Sequence, residues 1–228
     1  MKILITNDDG IDAPGLNALW SVARDLGDCM IVAPADPASG CGHAVTTHQP
    51  IRFEERRPGW FAVSGTPADC VRLALFHLHE PIDAVLSGIN SGGNLGCDVY
   101  HSGTVAAARE AALHGRPAIA LSHYIARGRA IDWSQAQAWA SRVLINLLAL
   151  EHEPESYWNV NFPHPESPDA QPEVVLCPLD PSPLAVAFQI DCGTATYSGS
   201  YPQRPRKPGH DVDVCFSGRI ALTRLKLS

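Results

Sequence analysis

Along the first 125 residues apolar positions recur in two alternating periods, and each switch of period predicts a new element. Lys2 to Thr6 is a short aliphatic run of strand type, and Pro14 to Leu26 then places Leu16, Leu19, Ala23 and Leu26 on one helical face. Cys29 to Ala33 reads as a second strand and Phe61 to Val63 as a shorter one. Thr66 to His79 reads as a helix, with Thr66 as N-cap, Pro67 at the first helical position and Asp69 at the favourable end of the dipole. Ala84 to Ser87 follows as a core strand, Thr104 to His114 as a helix terminated by Gly115, and Pro117 to Leu121 as a further strand. Ser134 to Leu150 is a long helix and Tyr157 to Phe162 another strand. Near-continuous apolar strands alternating with amphipathic helices predict an α/β, Rossmann-like parallel sheet flanked by helices, with ligands outside the carboxyl ends of the strands.

The texture changes after Phe162. Seven prolines between Pro163 and Pro183 predict extended connections and edge strands. Gln189 to Leu227 alternates like antiparallel β structure, over Ala195 to Ser198, Asp211 to Phe216 and Arg219 to Leu227, with Ser217-Gly218 as a turn. The expected organisation is a catalytic domain over residues 1–188, its motifs within 1–125, and a β-rich extension over 189–228 that embraces a partner subunit. No internal repeat is present.

Composition narrows the function. The net charge of −7 arises from 24 acidic and 17 basic residues mixed along the chain, which argues against a nucleic-acid polymer or a membrane surface as partner. Polar residues follow Ile5 at once, with no secretory apolar region and no run that could span a bilayer, so a cytoplasmic protein is expected. The seven cysteines are widely spaced and lack a C-x-x-C pair, against both a disulfide framework and a zinc finger.

Candidate chemistry clusters after the strands. Thr6-Asn7-Asp8-Asp9-Gly10 follows strand one directly, with Gly10 allowing a sharp reversal. Two carboxylates about 4 Å apart repel by roughly 4 kcal/mol at an effective dielectric near 20, which a divalent cation relieves. The alternative is an ordinary Asn-Asp-Asp-Gly turn that caps the helix near Pro14. Ser39, after strand two, and Asn90, in the glycine-dense run Ser87 to Gly96, would add neutral oxygens, and an all-oxygen set suits Mg²⁺ or Mn²⁺. Ser102-Gly103-Thr104 opens a helix, where free N–H groups, the dipole and two hydroxyls suit a phosphate; a plain Ser/Thr N-cap is the alternative. Arg204, Arg206 and Lys207 lie in a proline-rich turn, either reaching an anionic substrate or solvated.

Together NDDG at 7 to 10, SG at 39 to 40, GTPADC at 65 to 70, SGINSGGNLG at 87 to 96 and HSGTVAAAREA at 101 to 111 resemble the survival-protein E (SurE) family of nucleotidases. The resemblance implies one divalent cation per subunit on Asp8, Asp9, Ser39 and Asn90, and a phosphate site lined by Asn94, Ser102, Gly103 and Thr104. It implies hydrolysis of 5′- and 3′-nucleoside monophosphates, as well as the trimming of short polyphosphate that some members carry out. The mechanism expected on physical grounds is metal-assisted hydrolysis, with Asp8 or Asp9 positioning or deprotonating the attacking water. It also implies exchange of C-terminal segments in a homodimer or tetramer. Family members usually continue into a C-terminal helix that the residues up to Ser228 do not supply, which bears on the oligomer more than on the chemistry. Cys97 stands where the family commonly has an acidic residue, and Cys41 follows the Ser39-Gly40 pair.

Three competing readings follow from the same residues. A covalent aspartyl phosphatase normally needs Asp-x-Asp, whereas these aspartates are adjacent. An NAD-dependent enzyme needs G-x-G-x-x-G at the first strand-helix turn, which is absent. A non-catalytic metal- and nucleotide-binding regulator would keep the pocket without turnover.

Overall fold

A computed structural model describes residues 1–78, 81–126, 129–164, 167 and 169–227. Its first half builds the main sheet from β1 (Lys2–Thr6), α1 (Pro14–Ala23), β2 (Asp28–Pro34), β3 (Phe53–Arg57), β4 (Trp60–Val63), α2 (Pro67–Phe76), β5 (Ala84–Ser91), α3 (Gly103–Leu113) and β6 (Ala118–His123). The second half adds α4 (Trp133–Leu148), β7 (Ser156–Phe162), β8 (Val174–Leu176), β9 (Phe188–Asp191), β10 (Thr194–Tyr197), α5 (Asp211–Phe216) and β11 (Ile220–Lys226). The nine-stranded sheet runs β3-β4-β2-β1-β5-β6-β7-β11-β8, parallel from β4 through β7.

Helices cover both faces because the strands carry apolar side chains on both. Ile3, Ile5, Leu86 and Val160 pack with α1 and α4 through Leu16, Leu19, Trp139 and Leu144. Leu4, Val32 and Val85 pack on the other face with α2 and α3 through Val71, Val105 and Ala108. Complete burial of a Leu or Ile side chain contributes about 1.5–3 kcal/mol, so these two layers hold the sheet edge that carries the loops in place. Between β1 and β5 the chain order reverses, since β1 continues to β2 on one side while β5 leads to β6 on the other. The loops after β1 and β5 therefore diverge and open a crevice at the carboxyl edge.

Most expected elements are present, with two corrections. Phe53–Arg57 is a strand that the hydrophobic pattern does not reveal: all five residues are exposed, and it pairs antiparallel with β4 as a charged sheet edge. Asp211–Phe216, expected as a strand, is a single helical segment. Its Asp-Val-Asp-Val sequence mimics a period of two, but Asp211, Val212, Val214 and Cys215 are the buried residues, which is the spacing of one helical face. The helix expected to reach His79 ends at Phe76, and His79, Pro165, Pro168 and Ser228 lie outside the described residues.

Within residues 189–228 only the β9–β10 hairpin stands apart from the main sheet. β11 lies inside the sheet, antiparallel to β7 and parallel to β8. Among the described residues no helix is long and apolar enough to cross a membrane.

Candidate active site at the carboxyl edge of β2, β1 and β5

Neighbouring strands β2, β1 and β5 deliver Ser39, the Asp8-Asp9 pair and Asn90 from their carboxyl ends. The turn after β1 is closed by Asn7, whose Nδ2 donates to the Gly10 carbonyl at 2.8 Å, while Gly10 takes φ +99°. This turn does not cap α1: the N-cap is Ala13, which has no side-chain capping bond. The local role of the aspartates is thus separate from helix initiation.

Asp8 points inward. It is 4% exposed, and its Oδ1 accepts the Thr104 hydroxyl at 2.5 Å. Burial raises the Asp8 carboxyl above the usual carboxylate range; the Thr104 bond opposes this and the Asp9 charge adds to it. Asp9 turns the other way, its Oδ2 accepting the Ser91 N–H at 3.0 Å. Asn90 donates its Nδ2 to the Gly92 carbonyl at 2.8 Å, which leaves its Oδ1 as an acceptor for something else. The β2 loop is tied to the same turn, because the Ala38 N–H donates to the Asp8 carbonyl at 2.8 Å. Ser39, the next residue, is exposed.

These donors fit a hard cation. Asp9 Oδ1 and Asn90 Oδ1 accept no hydrogen bond among the described residues, the candidate donors are all oxygens, and Asp8 is a desolvated carboxylate beside a second one. The Asn7 Oδ1 next to them is also buried without a donor.

The opening of α3 faces this pair. Ser102 is its N-cap, the Oγ accepting the Val105 N–H at 3.1 Å, so the hydroxyl hydrogen stays available. Gly103 is required by close approach: a Cβ there would stand 2.8 Å from Asp8 Cβ and 3.0 Å from both Asp8 Oδ2 and Cys41 Sγ. Thr104 donates its hydroxyl hydrogen to Asp8 Oδ1, which ties the helix start to the carboxylate. Burial and the Asp8 charge push the Cys41 thiol up, which keeps it neutral.

Comparison with known proteins gives the family. The family described as Survival protein SurE matches residues 3–180. The chain belongs to the SurE family. A provisionally named 5′-nucleotidase of Synechocystis is 51% identical over the whole of both chains, and one of Nostoc 48% identical over the whole of both. The 5′-nucleotidase SurE of Geobacter metallireducens is 47% identical over 72% of this chain and 65% of its own. Among solved structures, the SurE protein of Aquifex aeolicus superposes with a TM-score of 0.87 at 30% identity, covering 100% of this chain and 94% of that one.

In this SurE chain the glycine loop has supports that sequence reasoning missed. The Asn94 N–H donates to Asn161 Oδ1 at 2.8 Å, and the Asn94 carbonyl accepts from Asn159 Nδ2 at 2.8 Å and Asn161 Nδ2 at 3.0 Å. Its own Nδ2 donates to Ser122 Oγ at 2.8 Å. Two asparagines alternating within the apolar strand Trp158-Asn159-Val160-Asn161-Phe162 were the available signal, since a buried amide must find a partner.

A second missed cluster anchors the loop after Ser39. His43 Nε2 lies 2.6 Å from Glu110 Oε2, while Thr46 donates its N–H and hydroxyl to Asp69 at 2.8 and 2.7 Å. Among the described residues the histidines do not converge on the aspartates as a ligand set; His101 is exposed and is held by its backbone, its N–H donating to the Asp98 carbonyl and its carbonyl accepting from the Gly42 N–H. Of the three late basic residues Arg204 is buried and Arg206 and Lys207 are exposed.

Proposed function

We propose that this SurE chain is a divalent-metal-dependent phosphomonoesterase that cleaves nucleoside 5′-monophosphates to nucleoside and phosphate. The observation that carries the reading is the buried, desolvated Asp8 beside Asp9, set against the first turn of α3. The same pocket would accept 3′-monophosphates and short polyphosphate, because recognition of the terminal phosphoryl group does not involve the base.

Asp8, Asp9, Ser39 and Asn90 would hold one Mg²⁺ or Mn²⁺ ion. When bound, such an ion supplies charge neutralisation at a phosphoryl oxygen and lowers the pKa of a coordinated water. The chain's own residues do the rest. Thr104 fixes the Asp8 carboxylate in one orientation, and Ser91 does the same for Asp9. Ser102 Oγ–H and the Gly103 N–H at the start of α3 would donate to the phosphoryl oxygens, and Asn94 Nδ2, which gives one hydrogen to Ser122, would supply its second. Asp9, the less buried of the two carboxylates, would position the attacking water beside the ion and take its proton.

Release of phosphate from AMP, GMP, CMP and UMP, measured with and without Mg²⁺ or Mn²⁺, tests this directly. Turnover should require the metal, and Asp9→Ala should lower kcat by about a hundredfold or more. Metal-independent hydrolysis, full activity of Asp9→Ala, or metal and nucleotide binding with no turnover at any pH would refute it, the last in favour of a regulatory binding protein.

We further propose that the enzyme works in the cytoplasm as a homodimer, or as a tetramer built from such dimers, with the extension beginning at residue 189 as the contact. Phe188, Ile190 and Tyr197 of the hairpin are 55%, 71% and 52% exposed, an apolar surface that a subunit interface would cover.

A further inference from the structure

Arg204 is a charged side chain that the mechanism above does not use, and it is 1% exposed. Burial of a guanidinium is unfavourable unless its donors are met, so its partners show what it does. Nη1 donates to Asp98 Oδ2 at 2.7 Å and Nη2 to the Leu95 carbonyl at 3.1 Å, with Cys97 Sγ 3.4 Å away, while Nε is buried without a partner among the described residues. The Tyr201 hydroxyl donates to the same Asp98 Oδ2 at 2.6 Å and lies 3.4 Å from the Gly93 carbonyl; its ring packs 4.9 Å from the guanidinium. Burial and the Asp98 charge push the Tyr201 phenol far upward, so it remains a donor throughout the physiological range.

Asp98 is placed to transmit this contact in two directions. It stands four residues after Asn94 and four before Ser102. Its side chain also accepts the Leu95 N–H at 3.2 Å, which closes the end of the glycine loop. Its carbonyl accepts the Ser102 N–H at 3.0 Å, which sets the residue that caps α3. A reach of substrate by Arg204 is ruled out by the same geometry, since the guanidinium is enclosed by the glycine loop and by Asp98.

We propose that Arg204 and Tyr201 are positioning residues of the phosphate site: through Asp98 they fix both the loop that carries Asn94 and the helix start that carries Ser102 to Thr104. The C-terminal segment is then a working part of the site, although it is distant in sequence from every motif residue. This inference rests on the phosphomonoesterase reading of the site. It assigns no contact with substrate to either residue.

The test uses the full chain with Tyr201→Phe as the mild variant and Arg204→Met as the severe one. Inorganic phosphate is titrated in the presence of Mg²⁺, Mn²⁺ affinity is measured without phosphate, and KM and kcat for AMP are determined. Loosening two phosphate-contacting segments should weaken phosphate binding and raise KM by about tenfold in Tyr201→Phe and more in Arg204→Met. Mn²⁺ affinity should fall clearly less than phosphate affinity, because Asp8 and Asp9 are carried by the turn after β1, which Asn7 closes on Gly10 and Ala38 ties to the β2 loop. Should Arg204→Met fail to fold, Tyr201→Phe carries the test alone. Unchanged phosphate affinity and KM in folded Tyr201→Phe, or a parallel loss of metal affinity, overturns the proposal. Because phosphate titration needs no turnover, an inactive wild-type chain would count against the phosphomonoesterase reading and leave this measurement decisive for the positioning role of Arg204 and Tyr201.

Discussion

Replacing Gly103 by Ala adds one methyl group at the closest approach between α3 and the candidate metal site. The new Cβ would lie 2.8 Å from Asp8 Cβ and 3.0 Å from Asp8 Oδ2 and Cys41 Sγ. Carbon atoms pack best at about 3.5–4.0 Å, so Asp8 and the helix start must separate by roughly 0.7–1.2 Å. Overpacking of this kind costs about 1–3 kcal/mol, and the better helix propensity of Ala offsets up to about 1 kcal/mol of it. The net loss of about 0–2 kcal/mol corresponds to a fall in Tm of no more than roughly 8 °C for a chain of this length. Catalysis should suffer far more, since a displacement of about 1 Å in a reacting constellation lowers the rate on the order of a hundredfold. The assay is kcat for AMP with saturating Mn²⁺, beside a thermal melt of the same preparation. A folded Gly103→Ala variant that retains kcat within about threefold would refute the close-approach argument. The double variant Gly103→Ala with Cys41→Ala relieves only the sulfur contact, so recovery of activity there would show that Asp8 is not the group displaced.

Three further outcomes are expected. Thr104→Val keeps the side-chain volume but removes the donor to Asp8 Oδ1; a hydrogen bond to a buried charge contributes about 1.5–3 kcal/mol, so a lower Tm and a kcat reduced by at least about tenfold should appear together in melts and steady-state kinetics. Mg²⁺ or Mn²⁺ at about 100 times its dissociation constant should stabilise the fold by about 2.7 kcal/mol, a rise in Tm of roughly 5–10 °C by calorimetry, and Asp8→Asn should abolish most of that rise. Burial lowers His123 to about 4, so its neutral form is favoured in the folded state. Its contribution is complete above the unfolded value of 6.5 and is lost as pH falls from there towards 4, on the order of 3 kcal/mol in all. Urea denaturation of His123→Leu should therefore show a flatter decline than the parent between pH 6.5 and 4, and parallel declines would count against it.

The legibility of each element follows from where its determinants lie. Helix α2 is readable because Thr66, Pro67 and Asp69 are local signals, and the structure contains the full capping box with Thr66 and Asp69 bonding each other's backbone. β3 is not readable: as an exposed edge it has no apolar face, and pairing with β4 alone makes it a strand. α5 is misread because six residues are too few to separate a period of two from one of 3.6.

The sequence by itself determined the α/β class, the family, and which loops carry carboxylates, asparagines and hydroxyls, because these depend on local periodicity and on motifs of a few consecutive residues. Only the tertiary structure decided that the Asp8-Asp9 turn leaves α1 uncapped, that Thr104 gives its proton to Asp8, and that Ser122, Asn159 and Asn161 hold Asn94. The same holds for Arg204, which sequence left between a solvated turn and a substrate contact, and which the fold buries against Asp98, 106 residues away. The physical reason is that a desolvated polar group takes whichever partner the packed sheet brings to it, and contacts between distant segments leave no period and no motif in the chain.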